Sequence, residues 1–159
     1  MDSLIAPAKA KTARTILDRF FGYREIKGFG RCPTHLRRWT LLATPWLMVY
    51  LHHFIGDDLS RDLHDHPTRF VTIGLRGRYV ETSLDPMRRP QVRIHRAPWI
   101  RMFAASHAHR VTLFRDETCW ALLIVFRTVR DWGFWPNEQW TPWRHYVRRQ
   151  EDRGTSCVD

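Results

Sequence analysis

The sequence predicts an all-β fold, a single small barrel or sandwich with a helix before it and a tryptophan-rich segment after it. Short apolar stretches alternate with turns from residue 46 to residue 128, which is typical of a barrel or sandwich. The strands are not separated by amphipathic helices, so the pattern differs from βαβ units. The 159 residues are 43% hydrophobic and 13% aromatic, enough for one packed core.

The first 45 residues are predicted to form a basic arm that packs on the barrel. Residues 12–22 place Ile16, Leu17, Phe20 and Phe21 at helical spacing, and Gly22 is a suitable helix end. A basic turn and an apolar segment follow at residues 31–45. We therefore expect an amphipathic helix docked on the core.

The barrel is predicted over residues 46–130 and begins with a strand at 46–54. Residues 70–75 and 78–84 are expected to form a hairpin around Gly77. Further strands are predicted at residues 91–96, 99–105, 110–114 and 119–127, each bounded by turn residues. Residues 131–159 form a C-terminal wrap in which Trp132, Trp135, Trp140 and Trp143 bury their rings against the barrel. A platform for stacking nucleic-acid bases is the alternative for these rings.

Charge, hydropathy and cysteine content indicate which partners and which cellular compartment to expect. Of the net charge of +10, residues 1–40 contribute +6, with nine basic and three acidic residues, so this arm is a candidate contact for nucleic acid. The longest apolar runs, such as residues 121–126, are far shorter than the roughly 20 residues of a membrane helix, and we expect no membrane association. The N-terminus lacks the features of a secretory signal. The three cysteines have no C-x-x-C spacing, which argues against a disulfide framework and favours a cytoplasmic protein.

Two histidine pairs carry the functional signal. Strand alternation sends His64 and His66 to one face, about 7 Å apart, and His107 and His109 have the same spacing just before another strand. Imidazoles from two strands can converge on one ion, so we expect a metal site, with hydrogen-bonded histidines at the barrel rim as the alternative. Asp65 should point away from the ion and act as a turn residue or orient a histidine.

The chain resembles the cupin superfamily of double-stranded β-helix, or jelly-roll, barrels over residues 46–128. The first cupin motif, G-x5-H-x-H-x3,4-E-x6-G, matches at His64, His66 and Gly77. The second motif matches at its histidine, His109, while other residues replace its proline, glycine and asparagine. The longer string looks like that of uncharacterised small cupins of bacteria and their phages. The resemblance implies a barrel that holds a metal through His64, His66 and His109.

The glutamate of the first motif is missing, since Phe70 or Val71 stands where the pattern requires it. Glu81 is a candidate replacement, because the predicted hairpin would set it opposite Thr72 on the same face. The alternative for Glu81 is a cross-strand ion pair with an arginine. His107 and Glu81 are therefore the next candidate metal ligands after the three motif histidines.

A site of this kind would hold one divalent transition metal. Imidazoles suit Fe(II), which we favour, as well as Zn, Mn, Ni or Cu. Arg69, Arg101 and Arg110 are candidates for binding an anionic substrate, because guanidinium forks match carboxylates and phosphates. Only one of the neighbouring His52 and His53 can face the interior, and we assign His53, with Glu81 and Arg110, as the candidate catalytic groups.

These observations predict a cupin enzyme, a mononuclear Fe(II) oxygenase of the dioxygenase type that acts on a small anionic substrate. A metal-dependent isomerase, lyase or hydrolase on the same ligands is one alternative. A non-enzymatic module that binds nucleic acid, a nucleotide or a protein is the other. A homodimer is also expected, because a small barrel leaves sheet edges that need covering.

Overall fold

The structure is a computed structural model that describes residues 22–27, 32–58, 60–115 and 117–152. Most of these residues lie in strands. The elements are β1 (Tyr23–Lys27), β2 (Thr34–Ala43), β3 (Leu47–Phe54), β4 (Thr68–Arg76), β5 (Arg78–Leu84), β6 (Pro90–Arg96), β7 (Trp99–Phe103), β8 (His109–Leu113), β9 (Cys119–Thr128), β10 (Gly133–Phe134), β11 (Thr141–Pro142) and α1 (Trp143–Asp152). A short 3-10 helix, Pro136–Glu138, lies between β10 and β11.

The strands form two main antiparallel sheets. One has six strands in the order β1-β2-β3-β9-β4-β7, and the other has three in the order β6-β5-β8. Neighbours in these sheets are mostly not neighbours in sequence, so the chain passes repeatedly from one sheet to the other. The predicted all-β barrel is confirmed.

The two sheets pack face to face, and alternate residues of β4 and β5 are buried between them. In β4 the buried positions are Thr68, Phe70, Thr72 and Gly74, and in β5 they are Tyr79, Glu81 and Ser83. Tyr79 of the small sheet packs with Phe54 and Trp99 of the large one around the buried thiol of Cys119. The interior is therefore lined by polar and aromatic side chains together.

The predicted hairpin between β4 and β5 is wrong. β4 pairs with β7 and β9, whereas β5 pairs with β6 and β8. Gly77 turns the chain from one sheet into the other with φ +83°, and a Cβ at this position would lie 2.1 Å from the carbonyl oxygen of Thr118. Hydrophobic alternation identified both strands, but it contains no information about which strands they pair with.

The segments flanking the barrel extend it. The predicted helix at residues 12–22 lies outside the described residues except for Gly22, which directly precedes β1. Two parts of the segment that the sequence assigned to the arm, Tyr23–Lys27 and Thr34–Ala43, form β1 and β2 of the large sheet. At the other end, Trp132 stacks on Trp143 with ring centroids 5.7 Å apart, and Phe134 stacks on Tyr146 at 4.0 Å. These contacts hold α1 against β10.

Two further observations concern the cysteines and the length of the helices. Cys32 is disulfide-bonded, contrary to the expectation drawn from the cysteine count, and Cys119 is a buried free thiol. Among the residues described, no helix is long and apolar enough to cross a membrane.

Candidate metal centre

Three imidazoles from two segments meet at the start of β8. His64 and His66 lie between β3 and β4, and His109 is the first residue of β8. His64 and His109 form an isolated β-bridge in which each backbone N–H donates to the carbonyl of the other at 2.9 Å. This bridge joins the H-D-H segment to β8 and brings the three side chains together.

The spacing of the three imidazoles suits a single ion. One ring nitrogen from each of His64, His66 and His109 lies within 4.8 Å of the other two, and Nε2 of His66 is 2.8 Å from Nε2 of His109. Two nitrogens that bind one zinc-like ion at about 2.0–2.1 Å lie roughly 3 Å apart. The residues that the motif predicted therefore form a group able to accept a transition metal with small adjustments.

Glu81 lies behind His109 on the central strand of the small sheet, with 1% of its surface exposed. Oε1 of Glu81 accepts hydrogen bonds from His107 Nε2 at 2.6 Å and from His109 Nδ1 at 3.0 Å. Oε2 accepts from His95 Nε2 at 2.7 Å and from Arg101 Nη1 at 3.1 Å. These four donors compensate the cost of burying a carboxylate.

The hydrogen bonds of Glu81 determine the protonation state of its carboxylate and the position of the proton on His109. Burial alone raises the pKa of Glu81, but hydrogen bonds from His107, His109 and His95 outweigh burial and hold this pKa far below its usual value. Glu81 is therefore ionised and only accepts. Because His109 donates through Nδ1, its Nε2 carries the lone pair directed toward His66. This is the carboxylate–histidine arrangement that orients metal ligands in many proteins.

Burial keeps His64 and His66 neutral. Burial lowers the pKa of His64 to about 4, despite the opposing charge of Asp58. Burial also lowers the pKa of His66 well below its usual value, and the neighbouring His109 and His64 add to this effect. Neutral imidazole is the form that binds a metal, so burial prepares both side chains as ligands.

The same region contains a second possible ligand group. Ligand atoms of Glu81, His107 and His109 also lie within 4.8 Å of one another. His109 belongs to both groups, with Nδ1 facing Glu81 and Nε2 facing His66. The ring thus offers a different nitrogen to each group, and substitution of the members that the groups do not share can separate them.

Asp65, between His64 and His66, anchors the C-terminal wrap. It is fully buried and accepts hydrogen bonds from the Gly133 backbone at 2.8 Å, Arg130 Nη1 at 2.6 Å and Trp140 Nε1 at 3.0 Å. Its side chain points away from the imidazoles, as alternation predicted. Asp65 orients the segment after β9 and not a histidine, so this part of the prediction is wrong.

His53 does not face the interior, contrary to our assignment of it as a catalytic base. Its ring stacks on Trp120 with centroids 4.0 Å apart. His52 is the inward residue of the pair, with 3% exposure. Two adjacent histidines look alike in a strand pattern, and only the pairing of β3 with β9 determines which one faces inward.

The three candidate arginines also differ in whether they face the interior. Arg101 reaches the interior and donates to Glu81. Arg69 is exposed on the outer side of β4, and Arg110 donates to the backbone carbonyl of Arg61 at 3.2 Å. The expected placement of Arg69 and Arg110 beside the imidazoles is therefore wrong, because neighbours of buried residues in a strand point outward.

Sequence reasoning missed two groups in the interior. His95 is 4% exposed and donates to Glu81. Arg38 lies opposite His52 across β2 and β3, and its Nε donates to His52 Nε2 at 2.8 Å. Hydrophobic alternation in β6 pointed inward for Val92 and Ile94, which are 68% and 58% exposed, so it gave no signal for His95, and the pairing of β6 with β5 was needed to place it. Arg38 belongs to no motif and lies among other basic residues, so the sequence did not single it out.

Known structures share this architecture. No protein-family model matches the sequence, and no curated protein matches it. The Fe(II) form of HppE with the alternative substrate (S)-1-HPP matches with a TM-score of 0.52 and 13% identity over 65% of this chain and 56% of that one. A formate complex of Lactobacillus farciminis oxalate decarboxylase matches with a TM-score of 0.50 and 20% identity over 67% of this chain and 30% of that one. A hydroxypropylphosphonic acid epoxidase from S. wedmorenis matches with a TM-score of 0.51 and 12% identity over 65% of this chain and 55% of that one.

These similarities concern the fold. HppE and oxalate decarboxylase are cupin-fold proteins, and the aligned region spans less than two thirds of each of their chains. The chain described here therefore has a cupin fold with a histidine and glutamate cluster that could hold a metal.

Proposed function

We propose that this chain is a metal-dependent cupin enzyme, an oxygenase that holds one Fe(II) ion through His64, His66 and His109 and acts on a small anionic substrate. The observation that carries the proposal is the convergence of three imidazole nitrogens within 4.8 Å. The hydrogen bond from His109 to Glu81 supports it, because it keeps the proton of His109 on Nδ1 and leaves the lone pair on Nε2.

The donor set fits the proposed ion. Three neutral imidazoles suit Fe(II) and also zinc, copper or nickel, whereas an oxygen-rich site would suit magnesium or calcium. A bound Fe(II) ion with open coordination positions would supply dioxygen activation, and a redox-inert ion would supply Lewis-acid polarisation of the substrate. Among these ions we choose Fe(II), and with it an oxygenase, because the chain shares the fold of Fe(II)-HppE.

The residues around the imidazoles have separate tasks. Phe70 lies 4.8 Å from the ring of His66 and stacks on Phe103 at 5.0 Å, so the two aromatic rings shield one side of the centre from water. Glu81 keeps the proton of His109 on Nδ1. His107 contributes a further N–H to Glu81, which reduces the carboxylate's tendency to turn toward the ion.

An anionic substrate is consistent with the chemistry of the structural neighbours. HppE is a hydroxypropylphosphonic acid epoxidase, and oxalate decarboxylase was captured with formate. Both act on or hold small organic acids. We extend this property to the present chain because its barrel interior also contains arginine side chains, Arg101 and Arg38.

Metal analysis tests the proposal first. The full chain, purified without a metal-affinity tag, is expected to contain about one equivalent of metal, or to take up one equivalent of Fe(II) under anaerobic conditions. His64→Ala/His109→Ala should contain none. His53→Ala is a matched control, because it removes an imidazole that stacks on Trp120 outside the cluster, and it should keep the metal.

Oxygen consumption then tests the reaction class. The Fe(II)-loaded chain is expected to consume dioxygen in the presence of a small carboxylic or phosphonic acid, and the double variant should not. Metal uptake without oxygen consumption across both acid classes would instead favour an isomerase, lyase or hydrolase. Absence of metal in the parent chain after anaerobic loading would contradict the enzyme proposal altogether.

A further inference from the structure

Arg38 is fixed on the inner face of the six-stranded sheet. It lies opposite His52 in the β2–β3 register, and opposite residues of paired strands share a face. Its Nε donates to His52 Nε2 at 2.8 Å, and its Cζ is 4.7 Å from the centroid of the Tyr50 ring. One hydrogen bond and one cation–π contact thus hold the guanidinium in a defined position.

No carboxylate of the described residues contacts Arg38. Three other arginines of the barrel do contact one: Arg78 bonds Glu117, Arg101 bonds Glu81, and Arg130 bonds Asp65. A guanidinium withdrawn from water without an anion is costly, since its charge and donors are only partly compensated. The terminal nitrogens of Arg38 are therefore available to an anion from outside the chain.

His52 cannot supply the missing negative charge. Burial lowers the pKa of His52 well below its usual value, and the positive charge of Arg38 lowers it further, so the ring is neutral. Its Nε2 accepts from Arg38, which leaves the proton on Nδ1, a buried atom that has no hydrogen-bond partner among the described residues. This part of the interior has more donors than acceptors.

Arg38 and the imidazole cluster share one interior. A series of ring contacts crosses it from His52 to Phe54 at 5.7 Å, from Phe54 to Tyr79 at 5.9 Å and from Tyr79 to His95 at 4.9 Å. His95 is in turn bonded to Glu81. The guanidinium thus lies on the large-sheet wall, and the carboxylate that supports the candidate metal centre lies on the opposite wall.

We propose that Arg38, held by Tyr50 and His52, binds the anionic group of the substrate inside the barrel, and that this group is a carboxylate or a phosphonate. Both present two oxygens to the planar fork of a guanidinium. That the bound anion is a substrate rests on the proposed function. The inference gives Arg38 the role that was first expected of Arg69 and Arg110. Arg101 is already engaged by Glu81.

Anion titration of the full chain tests the inference. Acetate, oxalate and methylphosphonate are titrated at constant ionic strength, and binding is followed by calorimetry and by the shift in melting temperature. Chain treated with a chelator is measured beside metal-loaded chain, because an anion could bind the metal directly. We expect at least one probe to bind the chelated parent saturably and Arg38→Gln to weaken that binding about tenfold or more.

Two further variants complete the design. Arg38→Lys keeps the charge without the fork and should lose a part of the affinity, which covers the case in which Arg38→Gln fails to fold. Arg110→Gln removes an arginine that bonds the Arg61 backbone, and it should bind like the parent. The probe that binds more tightly distinguishes a carboxylate from a phosphonate substrate.

The result also separates this inference from the proposed function. Equal binding by Arg38→Gln and the parent, or no binding of any probe by the parent, would overturn the anion site. Loss of anion binding in Arg38→Gln with unchanged metal content supports it. If the chain takes up no metal but binds an anion through Arg38, the result supports the anion site and contradicts the proposal of a metal-dependent enzyme.

Discussion

Glu81 and His109 form a hydrogen bond in which His109 Nδ1 donates to Oε1 at 3.0 Å, while Nε2 of the same ring lies 2.8 Å from Nε2 of His66. The two nitrogens of His109 therefore face different partners. The buried carboxylate determines which nitrogen keeps its proton, and the other nitrogen is left for an ion.

Substitution of Glu81 should weaken metal binding without abolishing it. In Glu81→Gln the charge that orients His109 is lost, while His64, His66 and His109 remain. Loss of such a supporting carboxylate typically costs about 10- to 100-fold in metal affinity. Competition of Zn(II) or Co(II) with a chelator measures the change in dissociation constant. Loss of binding as complete as in His109→Ala would identify Glu81 as a direct ligand.

His107 discriminates between the two ligand groups. His107→Ala should retain one equivalent of metal, because His107 belongs to the group with Glu81 and not to the group with His64 and His66. His66→Ala should lose the metal. Elemental analysis of the two variants, side by side, gives the answer. The opposite pattern would assign the ion to Glu81, His107 and His109.

Asp65 should be important for stability even though it touches no proposed ligand atom. Asp65→Asn removes the charge that Arg130 and Trp140 bond, and it is expected to lower the free energy of unfolding by about 2–3 kcal/mol. Urea unfolding followed by tryptophan fluorescence measures this change. Asp131→Asn is the control, since Asp131 is exposed. Equal stability of both variants would show that the wrap does not depend on Asp65.

Gly77 should not tolerate a side chain. Gly77→Ala places a Cβ on a residue with φ +83° and 2.1 Å from the Thr118 carbonyl oxygen, so we expect a loss of at least about 2 kcal/mol in unfolding free energy. Gly56→Ala is the matched control, because its nearest neighbour, the His35 Cα, would be 3.4 Å away. The comparison uses chemical denaturation. A similar small effect at both positions would contradict the crowding at Gly77.

Acidification should destabilise the metal-free chain before the carboxylates are protonated. Burial lowers the pKa of His64 to about 4, whereas an unfolded histidine titrates near 6.5. Between these values the unfolded chain binds more protons, so the free energy of unfolding falls as the pH falls from about 6.5 to about 4, by about 3 kcal/mol for His64. The lowered pKa of Glu81 adds a further loss only below about 4.5.

Urea unfolding at several pH values tests this dependence. The slope of unfolding free energy against pH should be smaller in His64→Gln than in the parent. His145→Gln should keep the parent slope, since His145 is exposed on α1. An unfolding free energy that stays constant from pH 7 to pH 4.5 would contradict the burial of neutral imidazoles.

The local features of the sequence predicted the strands and part of the site. Alternation identified β4 and β5 and gave the common face of His64 and His66. The spacing of His107 and His109 indicated a second contribution to the same centre. The pairing of strands was not accessible in this way, so the hairpin around Gly77 was wrong and the position of His95 was missed.

The sequence by itself determined that the chain is an all-β barrel with an H-D-H segment and a second histidine pair at a strand start, because strand period and turn residues are local properties. The tertiary structure decided that His52 and not His53 faces inward, that Glu81 supports His109, and that Arg38 lies in the interior without a carboxylate. These relations join residues distant in sequence through strand register, and a shift of one residue in register would exchange the inner and outer side chains of a strand.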